Sequence, residues 1–286
     1  MTHRYVRVQS KSGQVLYALL QADRQVNVLD APPWRNGQIT DQVLPMSDYT
    51  LLAPCSPSKV IAVGRNYAKH AAELGNQLPA QPLLFMKPPT AVIAADAPIL
   101  YPAQSQRVDY EGELAIVIGD HAHHCEPAEA RSKIWGYTIA NDVTARDLQK
   151  TDSQWTRAKG FDSFCPLGPW LVREIPAGAQ LQTFINDEKS PRQSASIAKM
   201  IFSPEYLVSY ISQTMTLLAG DVVLTGTPEG VGPVEVGDRI RIEIEGIGCL
   251  ENTVQTKDQT KEKKEVRVLR EELAPPSSLS ATKAET

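Results

Sequence analysis

Residues 107–119 read Arg107-Val-Asp-Tyr-Glu-Gly-Glu-Leu-Ala-Ile-Val-Ile-Gly119. The second half of this stretch is apolar and β-branched, which is typical of a buried strand. Glu111 and Glu113 are two positions apart, so in a strand their side chains point from the same face. Neighbouring carboxylates repel each other, and burying them is costly unless a cation compensates their charge. The stretch therefore predicts a buried strand that presents two acids to a cation.

The composition of the whole chain is that of an ordinary globular protein with a sizeable core. The chain has 286 residues, 42% hydrophobic and 22% charged, and a formal net charge of −4. This charge gives no electrostatic footprint for nucleic acid or an anionic membrane, which require clustered Lys and Arg. No apolar run reaches the roughly 20 residues of a membrane helix. We therefore expect a cytoplasmic protein that has neither nucleic acid nor a membrane as a partner.

The chain divides into three parts by composition. Residues 1–53 alternate polar and apolar positions around turn signals, which predicts a small N-terminal β domain. Residues 54–255 mix β-branched runs such as "KVIAVG", "GDVVLTG" and "DRIRIEIE" with shorter helical stretches. Residues 256–286 are charged and then rich in Pro, Ser and Ala, which indicates a mobile tail. We predict a mixed, β-rich α+β fold of packed or rolled sheets with short helices.

A hard divalent cation is the natural partner of paired carboxylates, and Mg²⁺ usually keeps positions open for water and substrate. A third acid is therefore expected. Asp142 lies where the apolar run of "GYTIANDVTARDLQ" ends and a helix begins, which is a common place for a site. Asp147 is less suitable because it falls inside that helix. Asp109 shares the strand face of Glu111, so the spacing leaves the outermost ligand open.

Two further pairs have the spacing of one helical turn. His70 and Glu73 in "GRNYAKHAAELG" could form a general base and its orienting partner. Arg146 and Gln149 in "TARDLQ" could together hold a carboxylate or a carbonyl group. For both pairs, a solvated helix surface is the alternative interpretation.

Two other polar features suit negative charge. Lys159 in "QWTRAKGF" could stabilise developing negative charge, although a lone Lys is usually solvated. Thr227 lies in the turn "LTGTPEGVG", whose backbone N–H groups and hydroxyl could bind an anion. The turn is not a P-loop because no Gly-Lys-Ser/Thr follows.

Softer metal ligands do not form a convincing site in the sequence. The cysteines lack Cys-x-x-Cys spacing and are expected to be free thiols: Cys55, Cys125, Cys165 and Cys249. The cluster "HAHHC", with His121, His123 and His124 ahead of a cysteine, is expected to be an exposed turn without fixed geometry.

Five ordered stretches between residues 55 and 254 together resemble the fumarylacetoacetate hydrolase family. They are "GRNYAKHAAE", "VDYEGELAIVIG", "GYTIANDVTARDLQ", "QWTRAKGFDSFCPLGPW" and "GDVVLTGTPEGVGP". The resemblance implies a β-roll of rolled sheets, a homodimer, and Mg²⁺ or Mn²⁺, with Ca²⁺ in some relatives. It places metal ligands at Glu111, Glu113 and Asp142.

The resemblance also implies roles for the accessory residues. It places the water-activating dyad at His70 and Glu73, on a lid. It assigns substrate handling to Arg146, Gln149, Lys159 and Thr227. Gly112 departs from the usual apolar residue between the two acids, which makes the strand less stiff.

The function implied by this resemblance is metal-dependent cleavage of a C–C bond in a small 2-oxo acid. Acylpyruvate hydrolysis and oxaloacetate decarboxylation lead the possibilities, because both release electrons into the 2-oxo group. Oxaloacetate tautomerisation, dienoate isomerisation and sugar-acid dehydration stay open on the same site. A non-catalytic protein that binds a structural cation is the alternative from a different class.

Overall fold

The computed structural model describes residues 2–73, 75 and 77–260. The N-terminal part contains short strands: β1 (Arg4–Ser10), β2 (Val15–Leu20), β3 (Val26–Leu29), β4 (Ile39–Leu44) and β5 (Tyr49–Leu52). They pair in antiparallel order, with β1 bonded to β2 and β5 and with β3 between β2 and β4. Tyr5 of β1 also pairs with Leu171, so this sheet is continuous with that of the body. The domain boundary at residue 53 stays a prediction.

The body of the chain supplies the remaining strands and the short helices. The strands are β6 (Val60–Gly64), β7 (Leu83–Lys87), β8 (Val92–Ile93), β9 (Ile99–Leu100), β10 (Val108–Tyr110), β11 (Gly112–Ile118), β12 (Ile134–Asn141), β13 (Thr144–Ala145), β14 (Cys165–Val172), β15 (Gln180–Ile185), β16 (Gln193–Ser196), β17 (Val222–Leu224), β18 (Gly232–Val234), β19 (Arg239–Ile244) and β20 (Gly248–Gln255). The helices are α1 (Ala68–Glu73), α2 (Pro127–Lys133), α3 (Arg146–Thr151), α4 (Thr156–Lys159) and α5 (Pro204–Ser212).

These strands form three sheets within the described residues. The largest has the order β4-β3-β2-β1-β14-β12-β11-β17-β6-β7, with β5 and β8 paired beside it. The second has the order β13-β10-β18, and the third β16-β15-β19-β20-β9. The mixed, sheet-rich fold with short helices is thereby confirmed. The predicted tail lies outside the described residues from position 261 onward.

The centre of the large sheet is buried on both faces. Strands β11 and β12 are buried along their whole length. Leu114, Ile116 and Ile118 of β11 contribute to one hydrophobic cluster, while Ala115 and Val117 contribute to another. This alternation follows from the two-residue period of a strand. The site described below therefore stands on a rigid, fully covered part of the sheet. Within the described residues, no helix has the length and apolar character needed to cross a membrane.

Residues 107–119 form the expected buried strand in their second half, as β11, and a separate short strand, β10, in their first half. Strands β10 and β11 belong to different sheets, and Glu111 lies between them. The backbone N–H of Glu111 donates to the side-chain oxygen of Asn141 at 2.9 Å, and its carbonyl accepts the N–H of Asp142 at 2.9 Å. These bonds satisfy the backbone of Glu111 at the point where the chain changes sheets.

Gly112 has a packing reason that the sequence does not show. A Cβ at this position would lie 2.5 Å from the Thr183 hydroxyl oxygen and 3.1 Å from Cγ2 of Ile242. Thr183 lies on β15 and Ile242 on β19, so the absent side chain lets the third sheet approach the two acids closely. The glycine is therefore required for sheet packing, beyond the reduced stiffness expected from the sequence.

Candidate metal centre and active-site cavity

Three buried carboxylates meet where β11 begins and β12 ends. Glu111, Glu113 and Asp142 each offer one oxygen, and these oxygens all lie within 4.8 Å of one another. None of the three side chains is more than slightly exposed. The structure thus brings together the acids that the sequence singled out, while their role as metal ligands stays a prediction. Three hard oxygen donors at this spacing fit a divalent cation such as Mg²⁺, Mn²⁺ or Ca²⁺.

Buried cations compensate two of these acids. The Lys159 ammonium donates to Glu111 at 2.8 Å and to Asp142 at 2.5 Å. The Lys87 ammonium donates to the other oxygen of Asp142 at 2.5 Å. Glu113 accepts only the backbone N–H of Gly226, at 2.7 Å, and pairs with no cation of the described residues. Glu113 is therefore the acid whose ionised form would gain most from a metal ion.

The pKa values follow this unequal compensation. Burial, followed by repulsion from Asp142 and Glu111, raises the pKa of Glu113 well above its usual range. Burial acts in the same direction on Glu111, but attraction from Lys159 and Arg146 outweighs it and holds the Glu111 pKa far below its ordinary value. Burial would lower the pKa of Lys159, yet Asp142 and Glu111 raise it, so the ammonium stays charged.

The Tyr67 hydroxyl is a buried polar group without a partner among the described residues. Burial, followed by the nearby charges of Glu113 and Glu229, raises the Tyr67 pKa, so the hydroxyl stays protonated. A protonated hydroxyl near Glu113 is a donor that water or a ligand at the centre could satisfy.

Lys87 is a site residue that the sequence analysis missed. It lies at the end of β7, its side chain is fully buried, and its ammonium also donates to the Val143 carbonyl at 3.1 Å. A buried lysine is rare unless it is paired, and here the pair fixes Asp142 from the side opposite Lys159. A single Lys at the end of the apolar run "LLFMK" gives no sequence signal for this role.

Arg146 is held by three side chains of the protein, and its role in substrate binding stays a prediction. Its guanidinium contacts Asp109 at 2.8 Å, Glu111 at 2.5 Å and Gln149 at 2.6 Å. Asp109 also accepts from Arg107 at 2.9 Å, so it neutralises arginines instead of joining the three-acid group. This answers the question that spacing left open at Asp109. The contact of Arg146 with Gln149 is the one-turn pair expected from the sequence.

His70 and Glu73 are in contact, as their spacing predicts. Their Nδ1 and Oε2 atoms are 3.4 Å apart on α1, and His70 is buried whereas Glu73 is partly exposed. The Glu73 carboxylate also accepts the backbone N–H of Gly230 at 3.1 Å. The pair is therefore held against the turn that follows β17 and is not a solvated helix surface.

The turn containing Thr227 holds the carboxylates of the protein itself. The N–H of Gly226 donates to Glu113, and the N–H of Gly230 donates to Glu73. The Thr227 hydroxyl donates to the Gly112 carbonyl at 2.9 Å and accepts from the Gln193 amide at 2.7 Å. The expected anion-binding character is therefore present, but it serves to position two acids of the site.

One cavity of about 280 Å³ unites these groups. It is lined by Val63, Gly64, Arg65, His70, Phe85, Glu111, Glu113, Asp142, Arg146, Gln149, Lys150, Trp155, Lys159 and Thr227. All of the predicted site residues except Glu73 are in this lining, and Glu73 contacts His70. The sequence analysis missed Arg65, Phe85, Lys150 and Trp155, because none of them belongs to a spaced pair.

The histidine cluster contributes nothing comparable. His121, His123 and His124 are exposed, and the side chains of His123 and His124 contact Thr216 and Gln213. Within residues 2–73, 75 and 77–260, the three acids alone form a group close enough to share a metal ion.

Comparison with known proteins identifies the family of the chain. The family model for the C-terminal domain of fumarylacetoacetate (FAA) hydrolase matches residues 59–255, and an Rv2993c-like N-terminal model matches residues 3–54. Bovine mitochondrial oxaloacetate tautomerase FAHD2A is 41% identical over 226 residues, which cover 74% of this chain and 71% of the relative.

Solved structures give the same result. The 2-hydroxyhepta-2,4-diene-1,7-dioate isomerase of Mycobacterium marinum superposes with a TM-score of 0.81 at 43% identity, covering 89% of this chain and 99% of the other. The fumarylpyruvate hydrolase of Pseudomonas aeruginosa, in complex with Mn²⁺ and pyruvate, gives a TM-score of 0.66 at 34% identity, covering 76% and 93%. The relatives include a tautomerase, an isomerase and a hydrolase. Because the family model matches residues 59–255, more than half of its length, this chain belongs to the fumarylacetoacetate hydrolase family of enzymes.

Proposed function

We propose that the protein cleaves a C–C bond in a small 2-oxo acid, by hydrolysis of an acylpyruvate or by decarboxylation of oxaloacetate. One observation carries this proposal: three buried acids, the Lys159 ammonium and the His70 imidazole line the same cavity. Both reactions send an electron pair toward the 2-oxo group and pass through an enolate. The same cavity can therefore serve either bond.

Glu111, Glu113 and Asp142 would hold the divalent cation, with Mg²⁺ or Mn²⁺ preferred and Ca²⁺ an alternative. When bound, this cation supplies Lewis-acid polarisation of the 2-oxo oxygen. Lys159 brings a buried ammonium to the same place and stabilises the negative charge that develops on the enolate oxygen. Because Lys159 already contacts Glu111 and Asp142, no large movement is needed to position it.

In hydrolysis, His70 takes a proton from the water that attacks the distal carbonyl, and Glu73 orients the imidazole. The C–C bond then breaks, its electron pair moves to the pyruvate enolate, and a proton restores the keto form. In decarboxylation, CO₂ leaves without an attacking water. His70 is therefore required for hydrolysis and dispensable for decarboxylation.

A second candidate is tautomerisation of oxaloacetate between its keto and enol forms. The 41% identity to a bovine oxaloacetate tautomerase favours it. This reaction breaks no C–C bond and requires only that a proton move between carbon and oxygen. His70 is the group in the cavity whose chemistry suits that transfer.

The test is turnover by metal-loaded protein. Oxaloacetate, acetylpyruvate and fumarylpyruvate are incubated separately with the protein, and pyruvate formation is measured before and after addition of EDTA. Loss of the oxaloacetate enol absorbance without pyruvate formation identifies tautomerisation. We expect metal-dependent turnover that Glu113→Ala abolishes, because Glu113 is the acid without a cation partner.

His70→Ala separates the reactions. Loss of acylpyruvate cleavage with decarboxylation preserved supports the roles given above. Full metal-dependent turnover by Glu113→Ala contradicts the proposal. A non-catalytic cation-binding protein, the contrasting class, would lose thermal stability on chelation but gain none from a 2-oxo acid.

We further propose a homodimer whose ligand is a small 2-oxo acid and which binds neither nucleic acid nor membrane. The net charge of −4 supports the last two points, because nucleic acid and anionic lipid require a basic surface. The family resemblance supports the dimer. Sedimentation velocity at micromolar concentration measures it directly, and a single monomeric species would contradict it.

A further inference from the structure

Two cations in the cavity are not used by the buried acids. Arg65 and Lys150 line the cavity, and their side chains make no ion pair or hydrogen bond to the described residues. By contrast, Lys159 and Arg146 are each held by at least two polar partners. The unpaired cations are available to a ligand that enters the cavity.

The backbone of Arg65 is held by the hydrogen bonds of its neighbour Asn66. At Arg65 the backbone has φ of 62°, in the left-handed region that non-glycine residues rarely adopt. The side-chain amide of Asn66 donates to the carbonyls of Thr225 and Phe202, at 2.7 and 3.0 Å, and its oxygen accepts the Phe202 N–H. These bonds clamp the chain on the C-terminal side of Arg65. The backbone of Arg65 is therefore already ordered, and binding has to order only the rotamers of its side chain.

An aromatic wall adjoins Arg65. Phe85 and Trp155 pair edge to face with ring centroids 5.3 Å apart, and both line the cavity. A Cβ on Gly64 would lie 3.2 Å from the Trp155 ring, so the backbone just before Arg65 packs against this indole. The two roughly perpendicular rings give the cavity wall an apolar surface that the carbon chain of a ligand can contact.

The charge of the lining favours a dianion. Among the described residues of the cavity wall, the cationic side chains outnumber the acidic ones by one. A divalent cation at the three acids raises this excess to three. A ligand with one carboxylate leaves two positive charges uncompensated, whereas a ligand with two carboxylates leaves one. A dicarboxylate is therefore the better electrostatic match.

We propose that Arg65 binds the distal carboxylate of the ligand and thereby makes 2-oxo dicarboxylic acids the preferred substrate class. The first carboxylate and the 2-oxo group face the three acids, the carbon chain lies along Phe85 and Trp155, and the second carboxylate pairs with Arg65. This inference rests on the proposed function and deepens its hydrolytic form, because the distal carboxylate of an acylpyruvate stays intact whereas that of oxaloacetate would leave as CO₂.

Calorimetric binding to Mn²⁺-loaded protein tests the inference without turnover. 2-Oxoglutarate and 2-oxopentanoate both have five carbons and differ in the distal carboxylate. Wild-type protein binds the diacid more tightly. Arg65→Asn weakens diacid binding about 10- to 100-fold, the range for losing a charged hydrogen bond, and leaves monoacid binding unchanged. Asparagine tolerates the left-handed backbone, so the variant keeps its fold.

Arg24 provides a matched control. It is also an arginine with a left-handed backbone, at φ of 64°, but it lies in an exposed turn between β2 and β3, away from the cavity. Arg24→Asn leaves the affinity for both acids unchanged. Arg65→Lys keeps the charge and recovers part of the diacid preference. Equal wild-type affinities, equal loss of both acids in Arg65→Asn, or no binding of either acid would each overturn the inference.

Kinetics distinguish this inference from the proposed function. The specificity constants kcat/KM for fumarylpyruvate, a diacid, and acetylpyruvate, a monoacid, are compared between wild type and Arg65→Asn. A diacid binding preference without turnover of any 2-oxo acid supports Arg65 and contradicts the proposed function. Turnover of both substrates with a ratio that Arg65→Asn does not change supports the function and overturns the role of Arg65.

Discussion

Glu113 differs from its neighbours because its charge is opposed by burial and by two other acids, while among the described residues the backbone N–H of Gly226 is its only hydrogen-bond donor. In the folded protein its pKa lies above the ordinary value of 4.5, so folding favours the protonated form. The stabilisation from this preference is complete below about pH 4.5 and is lost as the pH rises through the folded-state pKa.

Glu113→Gln should remove this pH-dependent penalty. In chelator-treated protein at about pH 8, we expect the variant to be more stable than wild type, with about 1.4 kcal/mol for each unit of pKa elevation. The difference should shrink as the pH falls toward that of an unfolded glutamate. Urea unfolding across this pH range measures it, and a constant difference at all pH values would contradict the explanation.

A single residue, Lys87, should also affect the stability of the fold, because it forms a buried ion pair with Asp142. Lys87→Met should reduce the free energy of unfolding by about 3–5 kcal/mol, since it removes one partner of a buried pair with Asp142. Lys133→Met is the matched control, because Lys133 pairs with the exposed Asp120, and its loss should cost less than about 1 kcal/mol. If urea unfolding gives similar losses of unfolding free energy for both variants, the buried pair stabilises the protein no more than the exposed pair does.

At the scale of the strand, Gly112 allows two sheets to meet beside the acids. Gly112→Ala should destabilise the protein by about 1–3 kcal/mol, because the new methyl group overlaps the Thr183 hydroxyl on β15. It should also weaken Mn²⁺ binding, since Glu111 and Glu113 flank the displaced residue.

Gly232→Ala is the control for that change. Its Cβ would lie 3.2 Å from the Tyr110 hydroxyl oxygen, so a smaller adjustment is needed. We expect a smaller loss of stability and unchanged Mn²⁺ affinity. Thermal unfolding and calorimetry measure the two properties, and equal effects from both glycines would contradict the packing argument.

Helices and strands, and contacts within one helix, could be predicted from local sequence patterns, whereas contacts between distant positions could not. The contact between His70 and Glu73 follows from a spacing of three on one helix, and the strands "KVIAVG" and "DRIRIEIE" were recognisable from local pattern. The pairing of Lys87 with Asp142 spans 55 positions, and no local pattern encodes it. The break at Glu111 was missed because a strand that changes sheets keeps the composition of one strand.

At the scale of the whole molecule, a divalent cation should raise the stability of the fold. A ligand that binds only the folded state adds about 2.7 kcal/mol when present at 100 times its Kd. We expect Mn²⁺ or Mg²⁺ to raise the Tm of chelator-treated protein and EDTA to reverse the change. Glu113→Gln should remove most of this gain. An equal rise in Tm for wild type and variant would mean that the cation binds elsewhere.

Within the part of the chain that the structure describes, Lys87, Lys159 and Arg146 pair with Asp109, Glu111 and Asp142, so Glu113 is the acid of this site without a cation partner. Proteins whose structural metal is the main source of folding energy collapse into unfolded chains when the ion is scarce. Here buried ammonium and guanidinium groups already compensate most of the buried negative charge, so we expect the chain to fold before the ion binds. In a cell depleted of the ion, we therefore expect folded but inactive protein to accumulate. Its activity should return when the ion is supplied again, even if protein synthesis is blocked.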